Sequence, residues 1–136
     1  MQPIVVQTTI NAPIEKVWER FTKPEHITKW AFADESWEAP TAENDLRTGG
    51  RFITRMQAKD KSAGFDFSGT YTHVVEQKKI AYTMDGDGRK VETLFEEMPE
   101  GVHVTQTFDP ETENPEDVQR AGWQSILNNF KKYAES

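Results

Sequence analysis

The segment from residue 51 to residue 108 alternates apolar and polar side chains along most of its length, and a single long amphipathic segment follows it. In the first strand candidate, 51–56, Phe52, Thr54 and Met56 fall on one side and the intervening residues on the other. Short turns rich in Gly, Pro and Asp separate four further candidates, at 65–76, 80–84, 89–96 and 102–108. This pattern predicts an antiparallel meander with one apolar face that another element must cover.

The residues before the meander predict one strand and two helices. Residues 4–10 are almost all β-branched, which favours a first strand, and the following Asn-Ala-Pro is typical of a helix start. Apolar residues at helical spacing predict a helix from residue 14 to the proline at 24. We expect a second short helix at 24–30, a short strand at 36–39 and a polar loop at 40–48.

A final helix is predicted at 115–134. Residues at helical spacing form an apolar stripe, which consists of Val118, Gly122, Ile126, Phe130 and Tyr133. Trp123 and Leu127 widen this stripe. Because this is the only long apolar face available, the sheet must bury its own apolar face against it. The expected fold class is α+β, with a curved antiparallel sheet of about six to seven strands around the long C-terminal helix and two short helices after strand 1. The length of 136 residues without an internal repeat predicts a single domain over 1–136.

Composition narrows the functional classes. A net charge of −7 opposes binding to nucleic acid and to anionic membrane surfaces, so neither is an expected partner. The absence of cysteine excludes disulfides, zinc–thiolate sites, iron–sulfur clusters and thiol catalysis. The start, Met1-Gln2-Pro3-Ile4, lacks the features of a signal peptide, and no apolar run approaches the roughly 20 residues of a membrane span. The expected location is the cytoplasm.

No motif of known chemistry predicts a catalytic residue, a cofactor or a metal site. His26, His73 and His103 are too far apart in sequence to form a metal-binding pair. The segment 85–90 begins like a calcium loop, but basic residues occupy two of its required positions, so it is interpreted as a hairpin turn. Ser68 lies inside a predicted strand without the flanking glycines of a nucleophile elbow.

Five short motifs, in order along nearly the whole chain, resemble one family. They are INAPIEKVW at 10–18, PEHITKW at 24–30, DLRTGGRF at 45–52, GTY at 69–71 and GW at 122–123. The family is that of the activator-of-heat-shock-protein-90-ATPase homologues, within the START and birch-pollen-allergen-like (SRPBCC) superfamily. The resemblance implies a helix-grip fold enclosing a cavity. This chain has Trp30-Ala31 where members often have two tryptophans, which implies a differently lined pocket mouth.

The inner face of the sheet is the candidate site, and a plain packed core is the alternative explanation of its aromatic residues. Aromatic residues there share the face with small or polar ones such as Thr54 and Gln106, which a close-packed core would not favour. An unpaired buried amide costs roughly 1–3 kcal/mol, so Gln106 indicates either a hydrogen-bond partner or a hydrated cavity. The predicted pocket residues are Trp30, Phe52, Thr54, Met56, Phe67, Tyr71, Tyr82, Met84, Phe95, Gln106, Trp123, Leu127 and Phe130.

Three functions remain open from the sequence. The first is non-enzymatic binding of a small hydrophobic or aromatic molecule between sheet and C-terminal helix. The second, which the resemblance implies, is modulation of a chaperone or another partner. The third is a cyclase or lyase activity using Tyr71, Tyr82 or a histidine, for which the sequence shows no pKa-shifting partner. Arg51 and Arg55 face away from the predicted pocket, so no lysine or arginine is expected inside it. Because a buried anionic group would then lack a counter-charge, the expected ligand is uncharged.

Overall fold

The computed structural model describes residues 2–136. Met1, the first residue of the segment that was searched for a signal peptide, lies outside the described residues. Within this range eight strands and three helices follow one another. The N-terminal half contains β1 (Ile4–Ile10), α1 (Ile14–Thr22), α2 (Pro24–Ile27), β2 (Trp37–Glu38), β3 (Ala42–Asn44) and β4 (Arg51–Ala58). The C-terminal half contains β5 (Gly64–Val75), β6 (Lys79–Met84), β7 (Lys90–Met98), β8 (Gly101–Phe108) and α3 (Glu116–Ala134).

All strands belong to one antiparallel sheet. Its order is β1-β8-β7-β6-β5-β4-β2, and β3 also pairs with β4. The predicted meander from β4 to β8 is therefore confirmed, and β1 extends it by pairing with β8 along its full length. The sheet curls around α3, so the predicted α+β, helix-grip-like fold class is confirmed. None of the helices within residues 2–136 combines the length and apolarity that crossing a bilayer requires.

Two local predictions differ from the structure. The stretch predicted as a loop contains β3, in which Ala42 pairs with Thr54 and Asn44 with Phe52 at the edge of the sheet. The sequence of β3 is polar and shows no apolar alternation, so it did not indicate a strand. The strand forms because pairing at a sheet edge depends on backbone hydrogen bonds rather than on apolar side chains. The helix α2 ends at Ile27 rather than at residue 30, and the indole of Trp30 donates a hydrogen bond of 2.8 Å to the backbone oxygen of Arg20.

The helix α1 fills one end of the concave face of the sheet. Its apolar stripe is buried there, and the ring centroid of Trp18 lies 5.3 Å from that of Phe95. Phe21 lies 5.3 Å from Phe95 and 5.1 Å from Phe130 of α3, both in edge-to-face geometry. Aromatic pairs in this arrangement contribute roughly 0.5–1.5 kcal/mol beyond their burial. The packed core therefore lies at the α1 end of the sheet.

Candidate ligand-binding cleft

Beside this core, the sheet and α3 leave a cleft of about 820 Å³, which Phe21, Ile27 and Trp30 border on the α1–α2 side. Its floor is formed by the inner faces of β4, β5 and β6, and its roof by the N-terminal and middle turns of α3. The apolar part of its wall includes Phe52, Met56, Phe67, Ile80, Met84, Trp123, Ile126 and Leu127.

Strand alternation and one glycine build the aromatic floor. The ring centroid of Phe52 lies 4.7 Å from that of Tyr82 and 5.2 Å from that of Tyr71. Gly69 is the cross-strand partner of Phe52, and a Cβ atom at Gly69 would lie 3.0 Å from the Phe52 ring and 2.5 Å from the backbone oxygen of Thr83. A side chain at position 69 would therefore displace the Phe52 ring, which instead lies over the glycine.

The roof of the cleft centres on Trp123. Its indole stacks on Phe108, with ring centroids 4.1 Å apart and planes inclined by 12°. It also meets Phe67 edge to face at 6.0 Å. Next to it, Gly122 also lines the cleft. A Cβ atom built there would meet no heavy atom within 4 Å beyond its chain neighbours and the adjacent helix backbone. The helix thus leaves open space where an ordinary residue would place a side chain.

Most polar groups of the cleft are paired with protein neighbours. The Tyr71 hydroxyl donates to the side-chain oxygen of Asn44, whose amide in turn donates to the backbone oxygen of Thr22. The Gln106 amide donates to the Thr93 hydroxyl at 3.3 Å. The sequence allowed either a hydrogen-bond partner or a hydrated cavity for Gln106. The structure shows a partner, Thr93, and Gln106 also lines the cleft.

Tyr82 differs from these groups, since its hydroxyl forms no hydrogen bond with any other residue in the range 2–136. Burial raises its pKa well above the usual value for a tyrosine. The negative charge that Tyr71 gains on ionisation adds to this effect, while Arg89 opposes it. Burial also raises the pKa of Tyr71. Both hydroxyls therefore keep their protons at neutral pH, and that of Tyr82 is a donor without a protein acceptor.

Sequence reasoning missed Arg89. The residue lines the cleft, so the expectation that no lysine or arginine would do so was wrong. The signal was present, because Val91, Thr93 and Phe95 point inward and strand alternation places Arg89 on the same face. It was overlooked because the segment 85–90 was interpreted as a hairpin turn, although the predicted strand 89–96 began at Arg89. The structure confirms the turn with left-handed backbone at Gly86 and Gly88.

The structure brings most of the predicted pocket residues together around this cleft. Phe95 and Phe130 are the exceptions, because Trp18 and Phe21 of α1 cover Phe95, and Phe21 and Trp30 cover Phe130. The predicted residues that line the cleft are Trp30, Phe52, Thr54, Met56, Phe67, Tyr71, Tyr82, Met84, Gln106, Trp123 and Leu127.

Acidic groups lie at the rim of the cleft, where Asp66, Asp85 and Glu111 contribute to its lining. Asp66 forms an ion pair of 3.4 Å with Arg55, and Asp85 pairs with Arg51, so both carboxylates are engaged by cations of the outer face. In the part of the chain that the structure describes, no three His, Asp or Glu side chains converge in a way that could hold a metal ion.

A comparison with models of known protein families shows to which family the chain belongs. Residues 11–135 match the family described as activator of Hsp90 ATPase homolog 1-like (AHSA1-like) protein. The chain belongs to the AHSA1-like family. This confirms the family that the five sequence motifs indicated, and the family's fold fits the START-like superfamily. No curated protein matches the chain at a significant level.

Solved structures agree with the AHSA1-like assignment. The solution structure of an AHSA1-like protein from Aeromonas hydrophila is 44% identical, covers 98% of this chain and 92% of its own, and has a TM-score of 0.92. A protein from Cytophaga hutchinsonii is 47% identical with the same coverage and a TM-score of 0.84. A Chromobacterium violaceum protein, 22% identical with a TM-score of 0.86 over 99% of this chain and 98% of its own, shares the fold.

Proposed function

We propose that this AHSA1-like protein binds a small apolar or amphipathic molecule in the cleft between the sheet and α3, without catalysing a reaction on it. The observation that carries the proposal is the unfilled volume of about 820 Å³ under α3. Pockets for drug-sized molecules measure roughly 300–1,000 Å³ and combine apolar walls with a few polar groups. A domain whose only task was stability would gain from filling such a space, because protein interiors are normally close-packed.

The chemistry of the walls supports binding of a flat molecule. Phe52, Phe67 and Trp123 present ring faces or edges from the floor and from the roof, and such surfaces pack well against aromatic or fused-ring compounds. The donor hydroxyl of Tyr82 can orient one acceptor of the ligand. The raised pKa values of Tyr71 and Tyr82 keep both hydroxyls protonated at neutral pH, which argues against a role of either group as a general base.

Native mass spectrometry tests the proposal. The protein incubated with naphthol, a neutral aromatic alcohol, is expected to show one bound molecule per chain that saturates at micromolar concentration. Glucose, which is of similar size but lacks an apolar face, serves as the matched control and is expected not to bind. Adducts of naphthol that keep increasing in number without saturation would contradict a defined cleft site.

The alternative is modulation of a chaperone, and the family's name is the observation that favours it. An ATPase assay of Hsp90 with this chain distinguishes the two. On the ligand-binding account, the chain alone leaves the ATPase rate unchanged, whereas a several-fold acceleration at low micromolar concentration would favour the alternative.

A further inference from the structure

We propose that one end of the cleft is a carboxylate site, where the side chain of Arg89, together with the hydroxyl of Tyr82, holds the acid group of an amphipathic ligand. This inference rests on the proposed function, since it assigns the polar group of the molecule whose apolar part fills the cleft. It replaces the sequence-based expectation of an uncharged ligand.

The guanidinium of Arg89 is only partly used by the protein. Its Nε donates to Asp87 Oδ2 at 2.8 Å, and among residues 2–136 no acceptor engages its two terminal nitrogens. Its side chain is 21% exposed, whereas those of Arg51 and Arg55 on the outer face are 53% and 39% exposed. A half-buried guanidinium with free terminal nitrogens is suited to a carboxylate, which accepts two parallel hydrogen bonds from it.

The position of Arg89 is fixed by the hairpin that carries it. Its backbone oxygen accepts a hydrogen bond of 2.8 Å from the amide of Met84, and its own amide donates to Asp87 at 3.2 Å. The backbone of Lys90, the first residue of β7, forms hydrogen bonds with Asp109. Close to Asp109 in sequence, the backbone amide of Glu111 donates to the side chain of Gln119 in α3. Arg89 lines the cleft together with Gly86 of the β6–β7 turn and Val118 and Gln119 at the start of α3.

Tyr82 adds a second donor at this end. The positive charge of Arg89 acts on the Tyr82 hydroxyl, favouring its ionised form, but the larger effect of burial keeps the pKa raised. The hydroxyl therefore remains a donor. The Tyr82 hydroxyl and the terminal nitrogens of Arg89 have no acceptor among residues 2–136, and both residues line the cleft, so a ligand acceptor can bind both groups.

The surrounding charges limit the ligand to a single negative charge. Among the described residues that line the cleft, Arg89 is the one lysine or arginine. Asp66 and Asp85 are paired with outer arginines, and Glu111 accepts a hydrogen bond of 2.9 Å from the amide of Asn114. Asp87 engages Arg89 through Nε only, so the terminal nitrogens stay open to a ligand, while the carboxylates around them would repel a second negative charge. A monocarboxylate fits this environment better than a phosphate dianion.

Calorimetric titration with naphthoate and naphthamide tests the carboxylate site, because the two probes share a ring system and differ in charge. Naphthoate is expected to bind about tenfold more tightly than naphthamide, since charge-assisted hydrogen bonds are roughly twice as strong as neutral ones. Arg89→Gln is expected to weaken naphthoate binding about tenfold and to change naphthamide binding less than about twofold. Arg89→Lys keeps the charge without the planar fork and is expected to fall between.

Arg120→Gln is the matched control, because Arg120 is exposed on α3 and paired with Glu116, and the substitution removes the same charge. It is expected to leave both affinities unchanged. Equal affinities for the two probes, unaffected by Arg89→Gln, would overturn the carboxylate site while leaving the proposed function intact. A loss of naphthoate affinity that is equal in Arg89→Gln and Arg120→Gln would also overturn it. If neither probe binds, the proposed function itself fails.

Discussion

Phe130→Ala is expected to lower the free energy of unfolding by about 3–5 kcal/mol, the usual cost of removing a large buried aromatic side chain. Phe130 is 0% exposed, and its ring packs against Phe21 at 5.1 Å and Trp30 at 4.8 Å. The substitution opens a space where α1 and α3 meet over the sheet, and these aromatic neighbours are too constrained to fill it. Denaturant unfolding of the variant and the wild type measures the difference.

Lys132→Ala, an exposed substitution two residues along the same helix, is the control and is expected to change stability by less than about 0.5 kcal/mol. Trp123→Ala is expected to cost less than Phe130→Ala, because the indole is only half-buried and borders the cleft. If Phe130→Ala lost less than the Trp123 variant, the packed core would not lie at the α1 end.

Gly122→Leu is expected to abolish naphthol binding at micromolar concentration while the protein stays folded. A Cβ atom at this position enters open space and Gly122 lines the cleft, so we expect the leucine side chain to extend into the ligand's volume. Replacing a glycine inside a helix by a good helix former stabilises the helix by about 0.5–1 kcal/mol. Thermal unfolding and native mass spectrometry of the same sample measure both effects.

Ala121→Leu is the matched control for this variant. It adds a side chain of the same type one residue away on the exposed side of α3, and it is expected to leave naphthol binding unchanged. Undiminished binding to Gly122→Leu, or equal losses in the two variants, would mean that the ligand does not occupy the space beside Gly122.

Strand alternation was enough to predict the inner face of the sheet. Phe52, Phe67 and Tyr82 lie where their positions in the alternating pattern place them, because a side chain in a half-buried strand can point to only two sides. The apolar stripe of α3 was predictable in the same way, through its helical spacing.

Which parts of that face are open depends on tertiary packing, which local patterns do not encode. The sequence showed that α1 has an apolar stripe, but not that Trp18 and Phe21 would cover Phe95 at one end of the sheet. The same limit applies to Gly122, which belongs to the apolar stripe by spacing and yet borders open space. For Arg89, strand alternation was sufficient to predict an inward-facing side chain, but the residue was interpreted as part of the hairpin turn at 85–90.

A proton–nitrogen NMR titration of the wild-type protein with naphthol tests the ligand-binding account most directly. The account predicts saturable shift changes at backbone amides around the cleft, such as those of Thr54, Phe67 and Gly122. The amides of exposed residues on the outer face, such as Thr72 and Leu94, are expected to remain unchanged. Shift changes confined to the outer face, or no changes at millimolar naphthol, would contradict the claim that this cleft is a small-molecule site.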